Sequence, residues 1–180
     1  MISQSMRAIR VVATGLALAG AFAPMAMAQQ TTSNRVGANT DWSVFEETNP
    51  KECFAVSAPK ETANTRNGQA VQVSRGDTLL FVFFRPGEGV NGQITFTGGY
   101  SFASGSKVTL TVDGSKFDLF TQGEWAWASN SDEDAKIVAA LKRGSRAVLE
   151  GQSARGTNTR DSFSLSGVTA AITDAQRRCG

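Results

Sequence analysis

From residue 41 onward the chain is a succession of short apolar runs separated by Gly, Asn, Asp and Ser. Alternation over a few residues is the mark of a half-buried strand. It occurs at Trp42 to Glu46, at Ala70 to Ser74 through Val71 and Val73, and at Lys107 to Val112 through Val108, Leu110 and Val112. Glu52 to Ser57 is a further strand-sized run, and Pro59 to Gly68 is polar and reads as a loop. Thr78 to Phe84 (Thr-Leu-Leu-Phe-Val-Phe-Phe) is apolar at successive positions, which predicts a central strand covered on both sides. Arg75-Gly76-Asp77 and Pro86-Gly87-Glu88-Gly89 punctuate it. Asn91-Gly92 is a type I′ turn signal, followed by a strand over Gln93 to Thr97. The clearest hairpin runs from Lys107 to Val112, through Asp113-Gly114, and back along Lys116 to Thr121. Trp125 and Trp127, two apart in Glu124 to Ala128, share one face of a strand.

Two segments change period. Ser131-Asp132-Glu133-Asp134 starts a helix with acids at its positive end. Ile137, Val138 and Leu141 form its apolar stripe, Lys142 and Arg143 occupy its last turn, and Gly144 stops it. Strands follow at Arg146 to Ser153 and within Thr157 to Leu165. Val168 to Arg178 is a terminal helix burying Ala171, Ile172 and Ala175. About eight or nine strands and two short helices, without a βαβ rhythm, predict an antiparallel β-sandwich or partly closed barrel, mainly β.

The N-terminal part has a different character. Arg7 and Arg10 precede an uncharged apolar stretch from Val11 to Ala23, Pro24 breaks it, and Ala26-Met27-Ala28 has the small-x-small pattern of a cleavage site. Residues 1–28 therefore read as a secretory signal of the general route, too short in its apolar part for a membrane span. Residues 29–40 read as a flexible polar leader, and residues 41–180 as a single β-sandwich domain. The whole chain has a formal charge of +2, and the signal holds two of its arginines and no acid, so the remainder is neutral. That neutrality gives no electrostatic case for nucleic acid or an anionic membrane. The expected location is the periplasm or outer cell envelope.

Histidine is absent from the chain. A Ser-His-Asp triad, a Cys-His pair and histidine metal ligation are thereby excluded. Cys53 and Cys179 are the two cysteines. In an oxidising compartment an even count favours a bridge, while a reactive thiol would need a base or a CxxC neighbour that the sequence lacks. Carboxylate pairs such as Glu124 with Asp132, or Asp161 with Glu150, are the remaining route to hydrolysis, but nothing in the sequence places either pair across a cleft. No catalytic, cofactor-binding or metal-binding residue is assigned. Trp125 and Trp127 could stack on sugars or on a partner surface; the plainer expectation buries a tryptophan face against the following helix.

The C-terminal third carries an ordered pattern. It runs Ser153-Ala154-Arg155-Gly156-Thr157-Asn158-Thr159, then Asp161-Ser162-Phe163-Ser164-Leu165-Ser166-Gly167, then Ala170-Ala171 and Cys179. Together with Asp41-Trp42, Cys53 and the helix end at Ala139 to Gly144, it resembles the invasion-associated locus B family of alphaproteobacterial envelope proteins. Many relatives carry a cysteine soon after the opening tryptophan. Phe45-Glu46 stands there in this chain, which leaves Cys53 to pair with Cys179. Val168 replaces what is often a larger aromatic. The resemblance implies an exported, non-enzymatic envelope protein acting by protein or surface contact, with host-cell interaction in pathogenic relatives. The alternative is a periplasmic glycan or small-ligand binder using Trp125 and Trp127. Within the shared pattern, Gly156 and Gly167 can serve turns, Asp161 can accept backbone hydrogen bonds at a turn, and Phe163 and Leu165 can fill a core. The functional reading makes Arg155, Thr157, Thr159 and Asp161 a polar recognition patch.

Overall fold

The computed structural model describes residues 34–179, so the signal segment and the start of the leader lie outside the described residues. Twelve strands form one antiparallel sheet, open at both edges and not closed into a barrel. In chain order they are β1 (Arg35–Asn39), β2 (Trp42–Thr48), β3 (Lys51–Ser57), β4 (Glu61–Arg66), β5 (Gln69–Ala70), β6 (Leu79–Arg85), β7 (Val90–Thr97), β8 (Lys107–Val112), β9 (Ser115–Gln122), β10 (Trp125–Trp127), β11 (Arg146–Gln152) and β12 (Asn158–Ser164). Helix α1 (Ser131–Arg143) separates β10 from β11, and α2 (Val168–Cys179) follows β12. The spatial order is β1-β2-β3-β6-β7-β10-β9-β8-β11-β12-β4-β5.

The sheet curls so that its halves face each other. The Trp42 indole on β2 donates to the carbonyl of Ser164 on β12 at 3.0 Å. Asp41 N–H donates to Ser166 O at 3.2 Å, and Phe96 of β7 meets Phe163 of β12 edge-on at 6.3 Å. One core cluster results, drawing Trp42, Val44, Ala55, Leu80, Val82 and Ile94 from one half and Val108, Leu110, Leu119, Leu149 and Phe163 from the other. Both helices feed this inner cluster, α1 through Ile137 and Leu141, α2 through Val168, Ala171, Ile172 and Ala175. Cys53 and Cys179 are bridged, with Cα atoms 5.7 Å apart, and this ties α2 to the inner face of β3.

Local signals explain most elements. Asp113 and Gly114 both adopt positive φ (42° and 96°), the geometry of the two-residue hairpin joining β8 to β9. The Asn130 side chain caps α1 by accepting from Glu133 N–H at 3.0 Å, one residue earlier than the acidic run implied. Several expectations are corrected. Residues 35–39, read as leader, form edge strand β1, paired with β2 from Arg35 opposite Phe45 to Asn39 opposite Trp42. The polar Pro59 to Gly68 stretch contains β4, which pairs with β12 from Glu61 opposite Ser162 to Thr65 opposite Asn158. Both strands are polar because they lie towards the sheet edges, where side chains meet water and alternation disappears. In place of a strand over Ala70 to Ser74, only Gln69–Ala70 pairs, and the chain from 71 to 78 runs on without regular structure to β6.

Asn91-Gly92 is not a turn. The turn is the short 3-10 segment Pro86–Glu88, closed by Gly89 at φ 68°, and Asn91 and Gly92 lie inside β7 where the register shifts opposite Phe83/Phe84. A glycine at positive φ serves an irregular strand as well as it serves a hairpin.

Candidate functional site

Alternation gives the first half of the sheet two apolar faces. On β6, Leu80, Val82 and Phe84 point to the core, while Leu79, Phe81 and Phe83 point outward. The outward set is joined by Phe54 and Val56 of β3, Phe45 of β2 and Val90 of β7, and every member of this cluster belongs to a strand. The rings bury one another: Phe45 stacks on Phe54 at 5.1 Å, and Phe81 on Phe83 at 5.1 Å. Phe81 reaches Trp125 at 6.2 Å, and Phe120 of β9 lies against Trp127 at 5.4 Å. Charged pairs flank the patch. The Arg85 guanidinium covers the Phe83 ring at 4.4 Å, pairs with Glu52 and donates to Gln93, and Lys107 pairs with Asp118 at 3.1 Å. Phe120 and Trp125 remain 47% and 40% exposed.

Both tryptophans therefore face outward, against the expectation that one buries on the following helix. The reason is register. Ala126 between them is fully buried, so the inner face at this point of β10 is filled by a methyl group and the period of two sends both indoles to the other side. Trp127 and Phe120 wall a shallow cleft of about 440 Å³, which Gln93, Gln122 and Asn130 also line.

A second cleft, of about 520 Å³, opens where the 71–78 segment crosses the end of β12. Its floor is an ion pair. Arg75 donates to both carboxylate oxygens of Asp161, at 2.8 and 2.7 Å, with Asp161 fully buried and the Arg75 side chain 10% exposed. Arg75 also donates to Gly98 O at 2.9 Å and lies over the Tyr100 ring at 5.1 Å. Burial pushes the Tyr100 phenol above its ordinary range, although its hydrogen bond with Thr159 (2.6 Å) pulls the other way, so it stays a neutral hydroxyl. On the wall, Arg66 donates to the buried Thr157 hydroxyl at 2.7 Å. Arg155 projects from a turn braced by Ser153 N–H to Thr157 O at 2.9 Å and Gly156 N–H to Ser153 O at 2.8 Å.

The structure thus splits the sequence-derived residues. Arg155, Thr157 and Thr159 line the second cleft, with Asp161 beneath it and Trp125 and Trp127 on the outer sheet face. Asp161 is not at a turn: it sits within β12 on the inner face, opposite Leu149, and its partner is a guanidinium. Glu150 projects from the opposite face of the sheet and pairs with Arg160, so the Asp161–Glu150 pair never meets. Glu124 lines the arginine cleft, whereas Asp132 lies in the first turn of α1. Sequence reasoning missed Arg66 and took Arg75 for turn punctuation. Neither has a local signal, because each acquires its role from a strand far along the chain.

The chain is thus a curled, disulfide-tied antiparallel sheet with a terminal helix, carrying an aromatic outer face and a polar cleft. Residues 42–176 match the family model of the invasion associated locus B (IalB) protein, and the chain belongs to that family. Its fold is similar to the crystal structure of invasion associated protein b from Bartonella henselae, with a TM-score of 0.51 and 17% identity over 77% of this chain and 94% of that one. No curated protein matches it. Among the described residues, no helix is long and apolar enough to cross a membrane.

Proposed function

We propose that this chain is an exported envelope protein that acts by binding a partner protein and performs no chemistry on it. The outer aromatic face carries the reading. Phe120 and Trp125 stay exposed beside rings that shield one another, and the Glu52–Arg85 and Lys107–Asp118 pairs border them. An apolar centre with aromatic anchors and a charged rim is the anatomy of a protein interface. The signal-like residues 1–28 support export by the general secretory route to the periplasm or outer envelope. Family membership supports a contact role, and in pathogenic relatives an interaction with host cells.

The test is complementation of a deletion strain with Phe120→Ser/Trp125→Ser. Both side chains are substantially exposed, so the variant keeps its thermal midpoint and export but fails to restore the envelope phenotype. A photo-crosslinker at position 120 yields a discrete adduct that disappears when Trp125 is also replaced by Ser. Full complementation by the double variant defeats the proposal.

A second reading, glycan or small-ligand binding through Trp125 and Trp127, is favoured by one observation. The Phe120–Trp127 wall shares an open cleft with the polar residues Gln93, Gln122 and Asn130, a pairing of flat apolar and polar groups suited to a sugar ring. Tryptophan fluorescence unchanged across a panel of glycans and cell-wall fragments removes it. Trp125 does not line that cleft, so Trp127 carries the signal.

A further inference from the structure

The cleft above the Arg75–Asp161 pair holds more positive charge than its own residues neutralise. Arg75 is satisfied by Asp161, which spends both its oxygens on it. Arg66 and Arg155 line the same cleft and have no carboxylate partner among the described residues. The lining acid outside the buried pair is Glu124. Three guanidinium groups therefore stand against two carboxylates, in a chain whose exported part is otherwise balanced.

The two free guanidinium groups are held differently, and both are prepared. Arg66 uses one N–H on Thr157 Oγ1, a buried and fixed acceptor, which sets its plane against the wall and leaves the remainder of its five donors available. Arg155 has an exposed side chain on a fixed base. Besides the bonds across its turn, Thr157 N–H donates to Ser153 Oγ at 3.1 Å and Ala154 N–H to Ser101 O at 2.8 Å, which pins the turn to the neighbouring loop. A forked, permanently charged donor on a fixed base is the side chain that recognises carboxylate and phosphate groups.

We infer that this cleft binds a small hydroxylated oxyanion, a sugar acid or sugar phosphate, with the anionic group between Arg66 and Arg155. The volume of about 520 Å³ falls in the range of small-molecule sites. Hydroxyl groups of the ligand meet Glu124, an acceptor at the cleft, and the hydroxyls of Ser74 and Ser101. The buried Arg75–Asp161 pair and Tyr100 form a rigid floor and take no part in charge recognition. Neither Phe120 nor Trp125 lines this cleft, so the inference does not rest on the contact proposed above.

The experiment titrates the purified, disulfide-bonded protein with inorganic phosphate, glucose 1-phosphate, galacturonate and neutral glucose, followed by amide and arginine side-chain NMR shifts. The expected result is saturable shifts at Arg66, Arg155, Gly156 and Thr157 with the phosphorylated or carboxylated sugars, weaker ones with inorganic phosphate, and none with glucose. Tighter binding of either anionic sugar identifies the source of the group and supports the inference. Arg66→Gln and Arg155→Gln each weaken the anionic sugars at least about tenfold, while Arg143→Gln, at the far end of α1, leaves them unchanged. Raising salt from low to near-physiological strength weakens binding severalfold. The inference is overturned by absence of shifts with every anion, by equal shifts with glucose, or by undiminished binding in a correctly folded Arg66→Gln/Arg155→Gln double variant.

Discussion

Replacing Asp161 by Leu tests what joins the 71–78 segment to β12. The carboxylate is fully buried and the Arg75 side chain is 10% exposed, so solvent screens their attraction little. Removing one partner leaves a guanidinium deprived of both short bonds in a site water scarcely reaches. Breaking a buried pair from one side costs about 3–5 kcal/mol. In a domain of this size that lowers the thermal midpoint by roughly 10 °C or more. Arg75→Met alone produces a loss of the same order, increased by its lost bond to Gly98 O and its lost stacking on Tyr100. The double variant behaves differently. With both charges gone the site needs only to be filled, and stability returns to within about 2 kcal/mol of the parent. The cycle therefore predicts a coupling energy of at least about 4 kcal/mol, beyond the usual range for contacting residues. Urea denaturation of the oxidised protein, followed by tryptophan fluorescence, measures all four species. Single variants within about 1 kcal/mol of the parent, or a double variant whose loss equals the sum of the two, refute the description of this pair as buried and mutually dependent.

Three further outcomes follow from other sites. Reducing the Cys53–Cys179 bridge, which spans 126 residues, frees the unfolded chain and lowers stability by about 5 kcal/mol on the chain-entropy model; a loss below about 1 kcal/mol in urea with and without reductant contradicts that. Backbone donation from Ser145, with help from Arg146, holds the Asp113 carboxyl below its ordinary range. A lowered folded value gives stability that is present above the unfolded value and lost as pH falls through the folded one. Asp113→Asn, which tolerates the same left-handed turn, therefore flattens the acid limb of the stability curve below about pH 4, and an unchanged limb rejects the assignment. Gly167 has φ 89°, and a Cβ there would lie 2.0 Å from Asn39 O; Gly167→Ala costs about 2 kcal/mol or more in the same assay, and a neutral substitution means the α2 entry does not approach β1 so closely.

What could be read from the sequence was what is local. The Asp113-Gly114 hairpin, helix α1 and the α2 stripe are each specified within a dozen residues by turn chemistry and period. The Cys53–Cys179 bridge was legible because two cysteines leave one pairing within the chain. β1 and β4 were hidden because edge strands with wet faces look like loops. Asn91-Gly92 misled because one glycine signal serves both a hairpin and a strand irregularity. The tryptophans were placed on one face correctly, but the choice of face depended on Ala126, whose small side chain points inward for reasons of packing. Of the cleft, Arg155, Thr157, Thr159 and Asp161 stood out as a run, while Arg66 reaches them through the pairing of β4 with β12 and Arg75 through the irregular 71–78 segment.

The cover of β1, β2 and β3 comes from α2, the last described element. A chain made from its N-terminus delivers Trp42, Val44 and Ala55 more than a hundred residues before Ile172 and Ala175 arrive to shield them. Throughout that interval the emerging strands are greasy and unlatched, and Cys53 is a lone thiol open to the wrong suitor. Folding of the first third is therefore answerable to the last helix: its inner face and its thiol are completed only when α2 is in place.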